Sequence, residues 1–351
     1  MKRVRVAYLQ KAPSGHMDAC LRALSHDAEL FVTLPPSLED APYDRAVFDW
    51  PSNTYPLTSL RRDEGLVAAV ESFRPDVTLV VGWEQRAYRR CALALRGSSL
   101  RVVGMDNQWL ATPKQFLGIA TRRIYLRPYF DAAFLPGRRQ RDFALRLGFP
   151  NERIFEGFYA ADVDAFRHVP SLGNGATSDR RTFVFIGRLV ESKGVRVLLN
   201  AYAQYREAVA EPWPLLVLGA GPLGELASRQ PGVDLAGFVE PAQLPTHLAQ
   251  ASFLVLPSTF EPWGVAVHEA VAAGLGCICS TAVGAADAFV RDRENGRIVA
   301  QGSVSALADA LSWSHELSRS KLPEMSAVSR TLAERFTPER WAETVLAMAG
   351  L

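Results

Sequence analysis

The sequence predicts an α/β protein with two doubly wound parallel sheets, one in each half of the chain. Three observations support this prediction. Short apolar runs alternate with helical patterns in both halves, a small polar stretch interrupts the alternation between residues 162 and 181, and glycine-bearing loops follow several strands of the second half. Alternating strands and helices form parallel sheets covered on both faces, which bind ligands at the carboxyl ends of their strands.

The first half contains five predicted strands separated by helical patterns. The strands are expected at residues 4–9, 29–34, 77–81, 101–105 and 132–135, and the helices at 18–25, 60–73, 85–96 and 138–147. Several polar or small residues follow these strands, where they could bind a sugar or only satisfy the hydrogen bonds of a loop. They are Gly15, His16, Trp83, Glu84, Asp106, Asn107 and Gln108.

A stretch of small and polar residues separates the two halves. Residues 171–179 have the composition of a linker, so we expect domains at residues 1–165 and 166–335 and a last helical segment at 336–351. Asp162 and Asp164 spell Asp-x-Asp, a pattern that holds a divalent metal in some sugar-transferring enzymes. No strand precedes it here, so chance explains it better and no metal site is predicted.

The second half repeats the alternation of strands and helices more regularly. Strands are expected at 182–186, 215–218, 233–236, 253–256 and 276–279, helices at 195–209, 242–250, 264–273, 304–313 and 338–348, and a turn at Asn295-Gly296. The carboxyl ends of these strands therefore bring several glycine-bearing loops to one edge of the sheet.

Two glutamates lie in and beside an otherwise apolar segment of the second half. Glu261 is in the loop after the strand at 253–256, and Glu269 is in the helix that follows. An unpaired buried charge is costly, so each carboxylate needs a polar partner, which a ligand rich in hydroxyls would supply. The alternative is that Glu261 only favours the positive start of the helix and that Glu269 pairs with a nearby arginine.

A pair of cations follows the first strand of the second half. Arg188 and Lys193 share one loop between Gly187 and Gly194, where the backbone can approach a ligand closely. Two cations opposite the amide groups of a helix start are typical of a pyrophosphate site. The alternative is that both are surface charges of an ordinary loop.

A glycine pattern after the next strand matches a dinucleotide fingerprint. Gly219-x-Gly221-x-x-Gly224 has the required letters. It follows the second strand of its half, and Pro222 stands where the helix should begin, so a nicotinamide or flavin site is the weaker of the possible interpretations.

Composition indicates an ordinary globular protein with a basic first half. The net charge is +2, but residues 1–165 contain 23 basic against 19 acidic residues. Basic and aromatic residues interleave between residues 122 and 141, where they could contact anionic membrane or form a solvated face. No nucleic-acid-binding motif accompanies them, and the start of the chain has too short an apolar run for a signal peptide. We expect a cytoplasmic protein whose four cysteines are reduced.

The second half resembles the retaining glycosyltransferases of family four, which have the two-domain GT-B fold. The resemblance covers about residues 155–300, and six motifs carry it in order. They are Gly187-Arg188-Leu189 with Lys193-Gly194, Gly219-x-Gly221-Pro222, Gly237-Phe238-Val239, Pro257-Ser258 with Glu261-Pro262-Trp263-Gly264 and Glu269, Gly284, and Asn295-Gly296.

The resemblance implies two Rossmann-like domains that face each other across a cleft, with a C-terminal helix crossing back to the first domain. It assigns Arg188 and Lys193 to the diphosphate of a nucleotide-sugar donor, Glu261 to the hydroxyls of the donor sugar, and Glu269 to the ribose. The amides of Trp263, Gly264 and Val265 would face the phosphates or the sugar, and Gly187, Gly219 and Gly221 belong to the same binding loops. Family members carry a histidine in the acceptor domain, for which His16 is the candidate here.

These features predict a metal-independent transferase without a cofactor. It would move a hexose from a UDP- or GDP-sugar to a glycan or lipid-linked acceptor with retention of configuration. The alternatives are an epimerase or phosphorylase on the same scaffold, an oxidoreductase that uses the Gly219 loop, and a sugar-binding protein without activity.

Overall fold

The computed structural model describes residues 3–10, 14–34, 50–57, 63–172, 181–317 and 319–350. The chain forms two compact units, one of residues 1–160 and 336–351 and one of residues 161–335. The first unit ends after Ala160, whereas the sequence predicts a boundary after residue 165. Residues 173–179 of the predicted linker lie outside the described ranges.

The first unit contains a seven-stranded parallel sheet in the order β3-β2-β1-β4-β5-β6-β7. Its strands are β1 (Val4–Leu9), β2 (Ala28–Leu34), β3 (Asn53–Pro56), β4 (Val77–Val81), β5 (Leu100–Gly104), β6 (Ala132–Leu135) and β7 (Ile154–Glu156). The edge strands β3 and β7 are absent from the sequence prediction because they are short and lack a continuous apolar run.

The helices of the first unit are α1 (Gly15–Ser25), α2 (Glu64–Phe73), α3 (Arg86–Ala94), α4 (Pro113–Tyr125) and α5 (Arg138–Arg146). The sequence predicts four of these five, with ends that differ by a few residues. It does not predict α4, none of whose residues is fully buried and of which only Ile119 packs against the core.

The second unit contains a six-stranded parallel sheet in the order β10-β9-β8-β11-β12-β13. The strands are β8 (Phe183–Ile186), β9 (Leu215–Leu218), β10 (Val233–Gly237), β11 (Phe253–Leu256), β12 (Gly276–Ser280) and β13 (Gly296–Val299). The predicted turn at Asn295-Gly296 is present, since residues 293–295 form a turn, and Gly296 is the first residue of β13. Gly296 is required there because a Cβ atom would lie 1.9 Å from the carbonyl oxygen of Cys277 on β12.

Helices cover the second sheet and one helix returns to the first unit. Those of the second unit are α6 (Val163–Phe166), α7 (Val195–Ala208), α8 (Gly224–Ser228), α9 (Leu244–Leu248), α10 (Val265–Ala272), α11 (Ala286–Phe289), α12 (Val304–Glu316) and α13 (Leu322–Ala333). The last helix, α14 (Pro338–Met348), packs against α1. Buried Trp341 fixes it there by donating from its indole N–H to the carbonyl of Phe158 at 3.0 Å.

The four cysteines, all in described ranges, are buried and form no disulfide. No helix in the part of the chain that the structure describes is both long and apolar enough to cross a bilayer.

Candidate functional site

The loops that carry the predicted cations and carboxylates leave two neighbouring strands in the middle of the second sheet. From β8 the chain proceeds to β9 and β10 on one side, and from β11 it proceeds to β12 and β13 on the other. The loops after β8 and β11 therefore diverge at the carboxyl edge of the sheet. A crevice at such a switch point is where open α/β sheets bind their ligands.

The structure brings Lys193 and Glu261 together. The Lys193 ammonium group donates to the Glu261 carboxylate, and both side chains are largely withdrawn from solvent. The Ser258 hydroxyl donates to the same carboxylate oxygen at 3.5 Å. Because opposite charges neutralise each other here, Glu261 is buried at an acceptable energetic cost without a ligand.

Backbone hydrogen bonds hold the two loops in register. The amides of Thr259 and Phe260 donate to the carbonyl of Ser192 at 2.8 and 3.1 Å. The amide of Gly284 donates to the carbonyl of Glu261 at 3.1 Å, which ties the loop to the segment after β12. The position of the ion pair is therefore fixed by backbone contacts from three segments.

Glu269 differs from Glu261 because its carboxyl has no partner within the described ranges. Its side chain is half-buried in α10, and its carboxyl makes no hydrogen bond or ion pair with any residue that the structure describes. Burial alone raises the pKa of Glu269 to about 7. The alternative of a pairing arginine therefore fails within the described ranges, and the carboxyl is available to a ligand.

The start of α10 lies directly against this ion pair. Gly264 caps the helix in the left-handed region, with φ of +100°, and a Cβ there would lie 3.1 Å from Cγ of Glu261. The first amides of a helix have no acceptor within the helix. The amide of Val265 therefore provides a donor at the start of the helix, whereas the amide of Val267 already donates to the carbonyl of Gly264 at 3.0 Å. Trp263 is buried against Phe289.

The glycines of the apparent dinucleotide fingerprint have a different role. A Cβ on Gly219 would lie 1.9 Å from the carbonyl oxygen of Gly187, and one on Gly221 would lie 2.7 Å from that of Leu189. The amide of Leu189 also donates to the carbonyl of Ala220 at 2.8 Å. These glycines let the loops after β8 and β9 pack backbone to backbone, and α8, which begins only at Gly224, is a single short helix. The structure does not favour the nicotinamide alternative.

Arg188 lies in the loop after β8 with an exposed side chain. The carboxylates of Asp162 and Asp164 have structural partners, because Asp162 accepts from the amide of Ala165 as the cap of α6 and Asp164 pairs with Arg167 at 2.6 Å.

His16 belongs to the first unit, where it is the second residue of α1. Its ring is half-buried and lies edge-on to Tyr159, with centroids 5.6 Å apart. Burial lowers the pKa of His16 to about 4, so the imidazole is neutral near pH 7. A neutral imidazole can accept a proton or a hydrogen bond, as a base must.

A cavity of about 730 Å³ opens beside Tyr159 in the first unit. Residues after β4 and β5 line one side, including Trp83, Glu84, Asp106 and Asn107. Helix α4 forms the opposite wall. The sequence predicted the polar residues that follow β4 and β5 as candidate sugar-binding residues. It did not predict the cavity wall that α4 forms, because it did not predict α4.

His268 is a structural residue of α10 whose role was not predicted from the sequence. Its Nδ1 accepts from the amide of Ala161 at 3.0 Å, which leaves Nε2 protonated and donating to the carbonyl of Ala333, also at 3.0 Å. The ring is fully buried and stacks on Phe289 at 4.3 Å. The signal in the sequence that could have revealed this role is a histidine within an otherwise apolar helix.

Comparison with known proteins agrees with this architecture. Residues 180–316 match the family model described as glycosyl transferases group 1. An uncharacterised glycosyltransferase of Methanocaldococcus jannaschii is 30% identical over 130 residues, which is 35% of this chain and 32% of the relative. The D-inositol 3-phosphate glycosyltransferase of Mycolicibacterium smegmatis is 28% identical over 187 residues, covering 50% of this chain and 40% of the relative. The chain thus matches about a third of the length of these curated relatives.

Solved structures match almost the whole chain. Anabaena HepE in complex with UDP superposes with a TM-score of 0.77 at 17% identity, covering 99% of this chain and 100% of that one. A glycosyltransferase from Rickettsia africae gives a TM-score of 0.76 at 11% identity over 99% and 98%. HepE has also been solved with UDP-glucose. The predicted GT-B fold of two Rossmann-like domains is confirmed.

Proposed function

We propose that this protein is a retaining glycosyltransferase of the family-four type, which transfers a hexose from a UDP- or GDP-sugar to a glycan or lipid-linked acceptor. The observation that supports this proposal most directly is the pairing of Lys193 with Glu261 at the start of α10. The same helix carries Glu269, whose carboxyl has no partner among the described residues. The resemblance assigns Lys193 to the diphosphate, Glu261 to the donor sugar and Glu269 to the ribose. The matched family model covers the same loops.

Donor binding is expected to exchange the partners of this ion pair. The diphosphate draws Lys193 and Arg188 to its oxygens, and a hydroxyl of the sugar donates to the Glu261 carboxylate in their place. The ribose hydroxyls donate to Glu269. Each buried carboxylate then has a partner in the complex, and no charge is left unpaired.

The cations also serve the chemical step. When the bond to the sugar breaks, negative charge grows on the leaving phosphate oxygen and positive character grows on the anomeric carbon. Lys193, Arg188 and the amides at the start of α10 stabilise that oxygen more strongly as its charge increases, which lowers the barrier. Glu261 holds the sugar in position, and the neutral His16 of the first unit is our candidate for accepting the acceptor's proton.

Nucleotide binding by variants of the cationic loop tests the donor site. Lys193→Ala and Arg188→Ala should each weaken binding of UDP or GDP, whichever the wild type binds, by about 1.5–3 kcal/mol, or roughly 10- to 150-fold. Arg196→Ala is the matched control, since Arg196 is an exposed cation three residues after Lys193 that pairs with the exposed Glu191. Titration calorimetry that finds the same nucleotide affinity in all three variants would contradict the phosphate assignment.

Turnover by Glu261→Gln tests the sugar assignment. We expect the transfer rate to fall about a hundredfold or more because the amide stabilises the positive sugar poorly. Nucleotide affinity should stay within a few-fold of the wild type. Near-normal transfer by this variant would exclude a role for Glu261 at the sugar.

A further inference from the structure

Helix α4 exposes its apolar residues to solvent. No residue of this helix is buried. Phe116, Ala120 and Ile124 recur at intervals of four residues along one helical face, and Leu117 lies at the edge of this face, next to the cavity of the first unit. The three large side chains Phe116, Leu117 and Ile124 are 57, 64 and 66% exposed. We call these four residues the α4 face.

The opposite side of α4 points towards the protein and is mostly polar. Gln115, Gly118 and Arg122 are partly buried there and line the cavity of the first unit. Ile119, on the same side, packs against the core of the first unit. The helix is therefore anchored by one apolar residue, whereas the larger apolar stripe, which normally faces the core, faces solvent.

Local interactions hold this helix in place without burial of its apolar face. The Thr112 side chain accepts from the amide of Gln115, and the Gln115 side chain accepts in return from the amide of Thr112, which completes a capping box. Pro113 occupies the first turn, where its missing N–H costs nothing. The exposed apolar residues are thus dispensable for forming the helix.

The exposure is concentrated in one region. Ten large apolar side chains are exposed in the described ranges, and five of them lie within the sixteen residues 110–125. They are Leu110, Phe116, Leu117, Ile124 and Tyr125. A contiguous patch of this kind marks an interaction surface rather than scattered surface residues.

The segment that carries the patch contains only positive charge. Residues 107–130 contain four basic residues and no acidic residue. Lys114 and Arg123 flank the α4 face, are exposed, and pair with no other residue that the structure describes. An anionic partner would therefore meet free cations on both sides of an apolar stripe.

We infer that the α4 face docks on the surface of an anionic membrane. An interfacial helix inserts its apolar face at the boundary of headgroups and acyl chains, and flanking cations bind the anionic headgroups. A second copy of this chain fits less well. Two copies joined through the same face would bring Lys114 and Arg123 close to cations of the partner, which opposes association.

The position of the cavity connects this surface with the acceptor. The helix that would lie on the membrane also forms a wall of the cavity through Gln115, Gly118 and Arg122. A lipid-linked acceptor could then place its headgroup in the cavity while its chain stays in the bilayer. This connection rests on the proposed function, whereas membrane docking itself does not.

Vesicle sedimentation tests the docking surface with the full chain. Wild type should bind vesicles of phosphatidylcholine with about 30% phosphatidylglycerol at least tenfold better than vesicles of phosphatidylcholine alone. Raising the NaCl concentration from about 0.1 to about 0.5 M should weaken the binding several-fold. Phe116→Ser combined with Ile124→Ser should lower it about tenfold or more, and Arg123→Glu should lower it for anionic vesicles only.

The controls separate this inference from folding and from donor chemistry. Leu226→Ser and Lys321→Glu change an exposed apolar residue and an exposed cation of the second unit and should leave vesicle binding unchanged. Phe116, Ile124 and Arg123 do not line the cavity, so their variants should keep the wild-type unfolding midpoint and nucleotide affinity.

Absence of binding to anionic vesicles by wild type, or undiminished binding by the Phe116 and Ile124 double variant, overturns the inference. If wild type does not bind vesicles but sediments as a dimer, and the double variant sediments as a monomer, the α4 face binds a second copy of the chain instead.

Discussion

Replacing Glu269 with glutamine should make the second unit more stable while weakening its binding of nucleotide. In the free protein the Glu269 carboxyl is half-buried, has no partner among the described residues, and has a pKa that burial raises from 4.5 to about 7. Glutamine has almost the same shape and no charge. The substitution therefore removes the cost of holding a carboxylate in α10 and keeps the packing of the helix.

The raised pKa sets the size of the effect and its dependence on pH. Below pH 4.5 the carboxyl is protonated in both the folded and the unfolded chain, so it does not destabilise the fold. As the pH rises to about 7, the unfolded chain ionises first and stability is lost. At about 1.4 kcal/mol for each pKa unit the full loss is about 3 kcal/mol, and partial contact with solvent reduces it to about 2 kcal/mol.

Thermal unfolding at two pH values measures this difference. Wild type and Glu269→Gln should unfold at similar temperatures near pH 4.5, and near pH 8 the variant should unfold roughly 4–8 °C higher. Glu294→Gln, at an exposed glutamate of a loop, is the control and should leave the midpoint unchanged at both values. A Glu269→Gln variant that is less stable than wild type at pH 8 would refute the reasoning, because it would mean that the carboxylate is stabilised in the free protein.

The same carboxyl should make nucleotide binding depend on pH. Ribose hydroxyls donate to the ionised form, so wild-type affinity should rise about tenfold per pH unit below pH 7 and level off above it. In Glu269→Gln the affinity should be lower at pH 8 and should not change between pH 6 and 8. If calorimetric titrations show that the wild-type affinity for nucleotide also does not change with pH, Glu269 does not bind the ribose.

Two further substitutions test how the fold positions the site. His268→Phe keeps the stack on Phe289 but removes the hydrogen-bond partner of the Ala161 amide and of the Ala333 carbonyl. The free energy of unfolding, measured by urea denaturation, should therefore fall by about 2–4 kcal/mol. An unchanged free energy of unfolding would mean that these two bonds contribute nothing. Gly219→Ala places a Cβ against a carbonyl oxygen and should cost about 2–4 kcal/mol, whereas Gly302→Ala, also at positive φ but with no atom within 4 Å, should cost about 1–2 kcal/mol. Equal losses at the two glycines would show that loop packing does not require Gly219.

The sequence predicts the buried parts of the fold well because burial leaves a clear pattern. Strand β11 is a continuous apolar run and β4 is interrupted only by the buried Thr78, and both lie where the sequence places them. The edge strand β3 carries mostly polar residues and a proline, so nothing in its composition distinguishes it from a loop. Helix α4 is missed for a different reason, since most of its apolar residues face solvent and only Ile119 packs against the core.

The candidate site was predictable as a set of positions but not as a set of contacts. Arg188, Lys193 and Glu261 could be placed at strand ends because parallel strands end at a common edge. The ion pair of Lys193 and Glu261 joins residues 68 positions apart in the sequence, and it exists because β8 and β11 are neighbours. That adjacency is a property of the sheet order, which the apolar pattern of single strands does not specify.

The charges of this site restrict the ligands that can bind there. A ligand with only anionic groups would draw Lys193 away and leave the buried Glu261 carboxylate without a cation, with only the hydroxyl of Ser258 at 3.5 Å as a donor, which is costly. A ligand with only hydroxyls would have nothing to attract Lys193 from its carboxylate, so the ion pair would remain closed to it. A ligand that joins a diphosphate to two sets of hydroxyls supplies a partner for the lysine, for Glu261 and for Glu269 at the same time. Nucleotide sugars have this composition, and for that reason the ion pair supports them as donors more strongly than it supports a free phosphate or a free sugar.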